Sequence, residues 1–263
     1  MFRMALLTIL IGISISVAQA EVPDTVFLED LTWTEVRDAI ASGTTTAIVP
    51  TAGTEQNGPH VVLGKHKYRM NAGSELIARR LGNAVVAPII SYVPEGDIDP
   101  PTGHMKFAGT ISIPEDIFKG LLEYTARSLK VHGFTDILFI GDSGGNQRGM
   151  KEVSEALNKE WAGDEYRVHF ISAWYTSRAF EGWLNEQGYT DEVIGTHAGL
   201  SDTTTLMAVA PQHVRADKMK AGQGFDVDGV TGDPSDSSIE LGNIGMEFLV
   251  NDAMKQINEM LAE

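Results

Sequence analysis

The sequence contains no cysteine, and this absence excludes thiolate catalysis, cysteine-ligated metal sites and disulfide bonds. It is also poor in positive charge, with 20 Lys and Arg against 36 Asp and Glu and a formal net charge of −16. So acidic a chain repels nucleic acid and anionic membranes, and no cluster of Lys and Arg offsets that repulsion. We therefore expect neither nucleic acid nor a membrane surface as a partner.

Long apolar runs are missing after the first twenty residues. Within those twenty, Arg3 precedes an apolar stretch from Ala5 to Val17, and Ala18-Gln19-Ala20 matches the small-x-small cleavage pattern of export signals. The stretch has about 13 residues, whereas a membrane-spanning helix needs roughly 20. We predict a signal peptide at 1–20 and an exported mature chain, periplasmic or secreted, that has no membrane anchor after cleavage.

The glycine patterns of nucleotide-binding loops are absent too, so no nucleotide cofactor is expected. Asp226-Val227-Asp228-Gly229 lacks the remaining spacing of a calcium-binding EF-hand and is interpreted as a turn. The chain has no internal linker, repeat or low-complexity tract, and 43% of its residues are hydrophobic, which is enough for a sizeable core. We predict a single domain over 21–263.

What the sequence does contain is an alternation of strand and helix patterns. Thr32 and Glu35 form a capping-box pattern, which predicts a first helix over 32–42. Further helices are predicted over 72–81, 112–131, 147–161, 178–187, 203–209 and 244–262, and strands over 45–49, 84–93, 136–140 and 167–174. This alternation predicts an α/β fold, a three-layer sandwich with a mostly parallel central sheet.

Three polar segments follow or lie near predicted strand ends, at 54–66, 141–146 and 197–204. In open parallel sheets, sites form at the carboxyl ends of the strands, so these segments are expected to meet. Together they carry the polar side chains from which a candidate active site would be built: Glu55, Asn57, His60, His66, Asp142, Ser143, Asn146, His197 and Asp202.

Seven segments, in order, resemble the creatininase family of metal-dependent amidohydrolases. The first two resemble the family's E-Q-H-G-P-H and L-P-L-G-T-D, and the next three its H-x-x-F-P-G-T-I-S, H-G-F and N-G-H-G-G-N. The last two resemble H-A-G-x-x-E-T and G-x-x-G-D-P. In the same order as these seven motifs, the matching stretches of this chain are 55–60, 62–66, 104–112, 132–134, 142–146, 197–203 and 229–234.

The resemblance implies a parallel-sheet sandwich that often assembles as a hexamer, so a homo-oligomer is expected. It also implies a zinc- or manganese-type centre that activates water against a cyclic amide or similar C–N bond of a small molecule. On this basis we expect a divalent metal, Zn or Mn, as the cofactor.

The family's ligand positions are only partly kept. Glu55 matches the family glutamate, Asp202 stands one methylene shorter at a later glutamate, and Asn57 and Ser143 replace ligand histidines. His66 stands where the family has a bridging aspartate, and a neutral imidazole offers one nitrogen where a carboxylate offers two oxygens. An ordinary two-metal centre is therefore not expected. Glu55, His66 and Asp202, with Asp142 or His60 nearby, instead suggest a single-metal site.

The remaining polar residues are assigned by the same comparison. His197 matches a histidine near the family's substrate and is predicted to transfer protons, with a structural role as the alternative. Asn57, Asn146 and Trp174 are predicted substrate contacts, with core packing as the alternative for Trp174. His60 and His104 are expected to fix their loops.

Three hypotheses follow from these residues. The first is a hydrolase of a cyclic amide, a lactone or a related C–N or C–O bond, with a remodelled single-metal site. The second is a metal-free pseudoenzyme or small-molecule binding protein that keeps the pocket. The third is a metal-free hydrolase in which Ser143, in Gly141-Asp142-Ser143-Gly144-Gly145, is the nucleophile.

Overall fold

The computed structural model describes residues 23–262, so the predicted signal peptide lies outside the described residues. Four strands are present there: β1 (Thr46–Thr51), β2 (Ala84–Val86), β3 (Asp136–Gly141) and β4 (Arg167–Ile171). The helices are α1 (Trp33–Ala41), α2 (Lys65–Leu81), α3 (Glu115–His132), α4 (Gly144–Glu160), α5 (Ala173–Thr176), α6 (Ala179–Glu186), α7 (Asp191–Ile194), α8 (Leu200–Val209), α9 (Phe225–Asp228) and α10 (Ile239–Leu261). Among the described helices, none combines the length and the apolar character needed to cross a membrane.

The four strands form one parallel sheet in the order β2-β1-β3-β4. The predicted α/β class and parallel central sheet are therefore confirmed. β1 and β3 are paired over their full length, from Thr46 opposite Asp136 to Thr51 opposite Gly141. This register brings the loops that follow β1 and β3 to the same edge of the sheet.

Alternating side chains of the central strands supply two separate cores. Val49 and Phe139 lie on the face covered by α3 and α4, together with Phe118 and Met150. Ile48, Leu138 and Ile140 lie on the opposite face, where α2 and α10 contribute Met70, Ile77, Met246 and Val250. Because successive strand residues point to opposite faces, a continuous apolar strand is buried by helices on both sides. This arrangement is the predicted three-layer sandwich.

Helix α1 begins as its sequence predicts. The Thr32 side chain accepts a hydrogen bond from the Glu35 amide, and the Glu35 carboxylate accepts one from the Thr32 amide. Two of the four free amides at the start of this helix are thereby satisfied.

Helix α3 differs from its prediction in start and orientation. It begins at Glu115. Ser112 and Glu115 have the spacing of a capping box, but the Ser112 hydroxyl donates instead to the Gly96 carbonyl. Ile117, Leu121 and Tyr124 follow the helical apolar spacing that predicts this helix, but they are 51%, 42% and 70% exposed. Phe118, Leu122, Ala126 and Leu129 are the buried positions. Apolar residues three and four apart trace two adjacent stripes on this helix, and packing selects only one.

Three other predicted boundaries are wrong. Helix α2 begins at Lys65 and not at 72, because its first turn buries charged residues that give no apolar periodicity. The predicted strand 84–93 is regular only over β2, and Ile90 makes a single bridge to Thr51. The predicted strand 167–174 ends at Ile171, so Trp174 belongs to the short helix α5.

Candidate active site

The loops after β1 and β3 meet at the point in the sheet where the strand order reverses. From β1 the chain passes through α2 to β2 on one side, and later through α3 to β3 on the other. Ligands of open α/β sheets bind in the crevice at such a switch point. Glu55 follows β1, Asp142 follows β3 at once, and Asp202 joins them from the first turn of α8. The structure thus brings the three predicted polar segments together.

Two neighbouring cavities open at this edge of the sheet. The first, about 440 Å³, is lined by Glu55, His66, Glu95, His104 and His197, among others. The second, about 370 Å³, lies beyond Asp142 and Asp202 and includes Arg69, Arg178 and Phe180. Both volumes fall within the range of small-molecule sites. We call the first, which contains the converging polar groups, the active-site cavity.

Six side chains beside this cavity form a closed ring in which acids and bases alternate. We call it the charge ring, and its members in order are Glu55, His66, Asp142, Arg69, Asp202 and Lys65. His66 donates from Nε2 to Glu55 Oε1 (2.7 Å) and from Nδ1 to Asp142 Oδ2 (2.6 Å). Arg69 binds Asp142 Oδ1 at 3.1 Å and Asp202 Oδ1 at 2.8 Å. Lys65 Nζ closes the ring, 2.8 Å from Asp202 Oδ2 and 3.9 Å from Glu55 Oε1.

All three basic members come from the first turns of α2. Lys65 is 1% exposed, His66 4% and Arg69 7%. The residue before α2, Gly64, provides no side-chain cap for the helix. Positive side chains are unfavourable at the positive end of a helix dipole. Buried charges persist only when they are paired and hydrogen bonded. The three carboxylates supply that compensation.

The ring changes the protonation of its members. Burial opposes the charge on His66 and Lys65 repels it, but Glu55 and Asp142 raise the His66 pKa to about 9. Burial also opposes the charges on Asp142 and Asp202, yet Arg69 holds both pKa values low, with His66 acting on Asp142 and Lys65 on Asp202. Near neutral pH the ring therefore contains three anions and three cations.

A consequence of the raised His66 pKa can be measured in chelator-treated protein. An unfolded histidine loses its proton near pH 6.5, whereas folded His66 keeps it up to a pKa of about 9. Its stabilising contribution is complete below pH 6.5 and is lost as the pH rises through 9. We expect the free energy of unfolding to fall by about 3 kcal/mol over this interval, measured by urea unfolding.

Glu95 adds to the same trend, because its folded pKa is also raised to about 9. His66→Gln should remove the part of the pH dependence that His66 contributes and leave the part that comes from Glu95. His132→Gln, which changes an exposed histidine at the end of α3, should keep the wild-type slope. An unchanged slope in the His66 variant would show that this imidazole does not carry the effect.

A second cluster joins Glu55 to two histidines. Glu55 Oε2 lies 3.1 Å from His104 Nε2, and His197 Nδ1 is 3.9 Å from Glu55 Oε1. One donor atom from each of these three residues lies within 4.8 Å of the others, which is close enough to hold a metal ion. Two histidines and one glutamate are also the protein ligands of a known class of mononuclear zinc hydrolase sites.

The chemistry of this triad fits one divalent ion. Burial lowers the pKa of His104, and burial with the nearby Lys65 lowers that of His197 to about 4, so both imidazoles are neutral near pH 7. His197 Nε2 lies 2.9 Å from the Gln56 carbonyl oxygen, and donation to it leaves Nδ1 free as a ligand. The Gln56 amide nitrogen is 3.3 Å from His104 Nδ1. The bond from His197 to a backbone carbonyl is the kind of second partner that orients a metal-binding histidine, whereas donation from Gln56 to His104 Nδ1 leaves the ring proton on Nε2, where a bound ion would displace it.

Glu95 and Ser143 form a further buried pair in the lining of the active-site cavity. The Ser143 hydroxyl donates to Glu95 Oε2 at 3.2 Å, and Glu95 is 5% exposed. Burial, and then repulsion from Glu55, raise the Glu95 pKa to about 9. Within the described residues, no hydrogen bond joins Ser143 Oγ to a histidine, so the activating base of a serine nucleophile is not in place.

The predicted substrate contacts lie outside the active-site cavity. The Asn57 amide donates to the backbone carbonyl of Glu55, and the Asn146 amide donates to Thr51 and Ala52. The Trp174 indole donates to Asp142 Oδ1 at 2.7 Å, and its ring is 1% exposed. In these positions the three side chains hold loops and orient Asp142.

Of the other predicted residues, His60 bonds Thr203, as expected of a residue that fixes its loop. Glu55, His66, Asp142 and Asp202, predicted as one metal set, do converge. His66, Asp142 and Asp202 are, however, bound to opposite charges in the charge ring. Glu55 is the member that also contacts the histidine pair.

Sequence reasoning missed Lys65, Arg69 and Glu95, and gave His104 only a loop-fixing role. A signal for the first two exists: Lys65 and Arg69 are four residues apart and therefore lie on one face of a helix. The sequence does not indicate that this face is buried, because its acidic partners Asp142 and Asp202 are distant in the chain. Glu95 has no comparable signal.

Comparison with known proteins gives a consistent result. The chain is 24% identical to a creatinine amidohydrolase of Pseudomonas putida over 74% of this chain and 75% of that protein. It is 23% identical to a mycofactocin precursor peptide peptidase of Mycobacterium ulcerans, over 80% and 83% of the two chains. A solved structure described as "Creatininase Mn" superposes with a TM-score of 0.74 at 23% identity, over 90% of this chain and 98% of that one, which shows a shared fold. The model of the family described as creatinine amidohydrolase matches residues 29–257, and the protein therefore belongs to the creatininase family.

Proposed function

We propose that this protein is a hydrolase that cleaves an amide or a related C–N or C–O bond of a small molecule, with one divalent ion held by Glu55, His104 and His197. The observation that carries the proposal is the convergence of these three donors, within 4.8 Å of one another, on the active-site cavity. When bound, a zinc or manganese ion would lower the pKa of a water molecule and polarise the scissile carbonyl.

The chain's own residues prepare the site for this chemistry. Gln56 lies behind both histidines and restricts their rings. His66 and Lys65 hold Glu55 through Oε1, which leaves Oε2 facing His104. The remaining walls come from glycine loops and from Phe225, which packs edge-on against His104 at 4.9 Å. A cavity of about 440 Å³ suits a small substrate.

A metal-free binding protein is the second candidate, and one observation favours it. The charge ring already balances three anions with three cations, so Glu55, Asp142 and Asp202 need no metal to be neutralised.

Export and homo-oligomer formation stay predictions from the sequence.

Metal analysis of protein purified without chelator separates the two candidates. We expect about one equivalent of zinc or manganese per chain, and turnover of at least one substrate in a panel of lactams, lactones and short peptides. His104→Ala and His197→Ala should each reduce the bound metal to below about a tenth of an equivalent and abolish turnover. His132→Ala, at an exposed site outside the cavity, should match the wild type.

Each other outcome has a defined meaning. Less than about a tenth of an equivalent, with no gain on reconstitution and no turnover, would overturn the hydrolase proposal and favour the binding protein. Turnover without metal that Ser143→Ala abolishes would instead identify serine-dependent hydrolysis.

A further inference from the structure

Three members of the charge ring, Glu55, His66 and Asp202, stand at positions where the family resemblance expects metal ligands. His66 replaces the bridging aspartate, Lys65 is the residue before it, and Asp202 stands at the late glutamate. A bridging carboxylate binds one ion through each oxygen, which an imidazole cannot do. Both nitrogens of His66 are in addition already directed at carboxylate oxygens, at 2.7 and 2.6 Å.

The carboxylate oxygens of the ring are also occupied. Asp142 Oδ2 accepts from His66, and Oδ1 accepts from the Trp174 indole and faces Arg69. Asp202 Oδ2 accepts from Lys65 and from the Ala198 amide, and Oδ1 accepts from Arg69. Glu55 Oε2 is the ring oxygen that points away from the ring's cations, toward His104. The donors that could hold a second ion are therefore committed to side-chain cations.

The positive charges of Lys65 and Arg69 also disfavour a second metal ion. Lys65 Nζ lies between Asp202 and Glu55, where a second ion would have to compete with a cation covalently attached to the chain. Arg69 occupies the corresponding place between Asp142 and Asp202. Little solvent reaches these groups to screen the repulsion, because Lys65 is 1% and Arg69 7% exposed.

We infer that Lys65, His66 and Arg69 of α2 take the place of the second metal ion of a two-metal centre, so that this site binds at most one ion and holds Asp142 and Asp202 through side-chain cations. The inference deepens the proposed function by fixing the metal stoichiometry of the same site. It concerns which groups hold these carboxylates, and it does not depend on the reaction.

The first test counts bound ions in the wild-type protein. Apo-protein is titrated with zinc or manganese alone, and native mass spectrometry measures the equivalents bound inside the chain. In parallel, an amine-reactive reagent maps whether Lys65 stays protected in the presence of excess metal. We expect no more than one equivalent and an unmodified Lys65. Two equivalents, or a Lys65 that becomes reactive when metal is added, would overturn the inference.

The second test restores the residues that the resemblance places around the second ion. The variant N57H/K65T/H66D/S143H replaces two ring cations and returns two histidines and the bridging aspartate. We expect it to bind one more equivalent than the wild type. Lys67→Thr, an exposed lysine on the same helix, should leave the count unchanged. A folded quadruple variant that gains no ion would count against the inference, and if it does not fold, the wild-type count and the Lys65 labelling still decide.

The outcomes distinguish this inference from the proposed function. If the wild type binds no ion, the single-metal hydrolase fails while the role of the charge ring stands. If it binds two ions and turns over a substrate, the hydrolase stands and the role of the charge ring fails.

Discussion

Replacing Lys65 with methionine should lower the free energy of unfolding by about 3 kcal/mol, because it removes one partner of a buried ion pair and leaves the carboxylates of Asp202 and Glu55 only partly compensated. Methionine nearly matches the lysine stem in length, so the change isolates the ammonium group. Lys65 is 1% exposed and lies 2.8 Å from Asp202. Asp202 keeps Arg69 and retains 20% exposure, which places the effect at the lower end of the range of about 3–5 kcal/mol for broken buried pairs.

This loss is large enough for ordinary unfolding experiments. For a domain of this size it corresponds to a melting temperature lower by roughly 6–12 °C. Urea unfolding of chelator-treated protein would measure it without any contribution from bound metal. Lys67→Met provides the matched control, since Lys67 is exposed two residues further along α2 and should change stability by less than about 0.5 kcal/mol.

A double variant identifies the partner. In Lys65→Met/Asp202→Asn an uncharged amide also replaces the Asp202 carboxylate, so part of the stability lost in Lys65→Met should return. Coupling between contacting residues appears as such non-additivity. Equal stabilities of the Lys65 and Lys67 variants would contradict the charge ring as a structural element.

The fold could be predicted from the sequence because its signals are local. The capping box of Thr32 and Glu35 starts α1, and the short β-branched runs around Ile48 and Ile137 become the central strands. Where two patterns fit equally well, only tertiary contacts decide. Leu121 and Leu122 of α3 satisfy the same spacing, yet Leu122 is buried and Leu121 is 42% exposed.

The location of the site could also be predicted, because polar residues after parallel strands meet at one edge of the sheet. The ion pairs within the site could not be predicted. Lys65 and Asp202 are 137 residues apart in the chain, and nothing local indicates that a lysine beside a helix start is buried. Lysine and arginine are almost never fully buried without partners, so a sequence reading assigns them to the surface. For the same reason the sequence predicts a start of α2 that is seven residues too late.

The two oxygens of Glu55 have different hydrogen-bond partners. Oε1 accepts from His66 and belongs to the charge ring, whereas Oε2 faces His104 and the cavity. Burial opposes its charge, but His66 and Lys65 hold the Glu55 pKa well below its ordinary value. A carboxylate held ionised in this way can bind a metal ion without first losing a proton.

Replacing Glu55 with glutamine should therefore reduce turnover about a thousandfold and release the bound ion. The amide keeps the shape of the side chain and an oxygen for His66, but it lacks the charge that a divalent ligand site requires. Stabilisation by a bound metal ion contributes several kcal/mol to the transition state, and each 1.36 kcal/mol is a tenfold change in rate. Turnover at saturating metal, together with the bound metal per chain, measures both effects.

Glu95→Gln is the closest control for metal binding. Glu95 lies in the same cavity and is equally buried, but its raised pKa of about 9 makes it a neutral acid at pH 7, so the amide changes no charge. We expect this variant to retain about one equivalent of metal, whereas Glu55→Gln falls below about a tenth. Retention of the ion in both variants would remove Glu55 from the ligand set. Loss in both would show that the cavity tolerates no change and that the ion does not depend on the charge of Glu55 in particular.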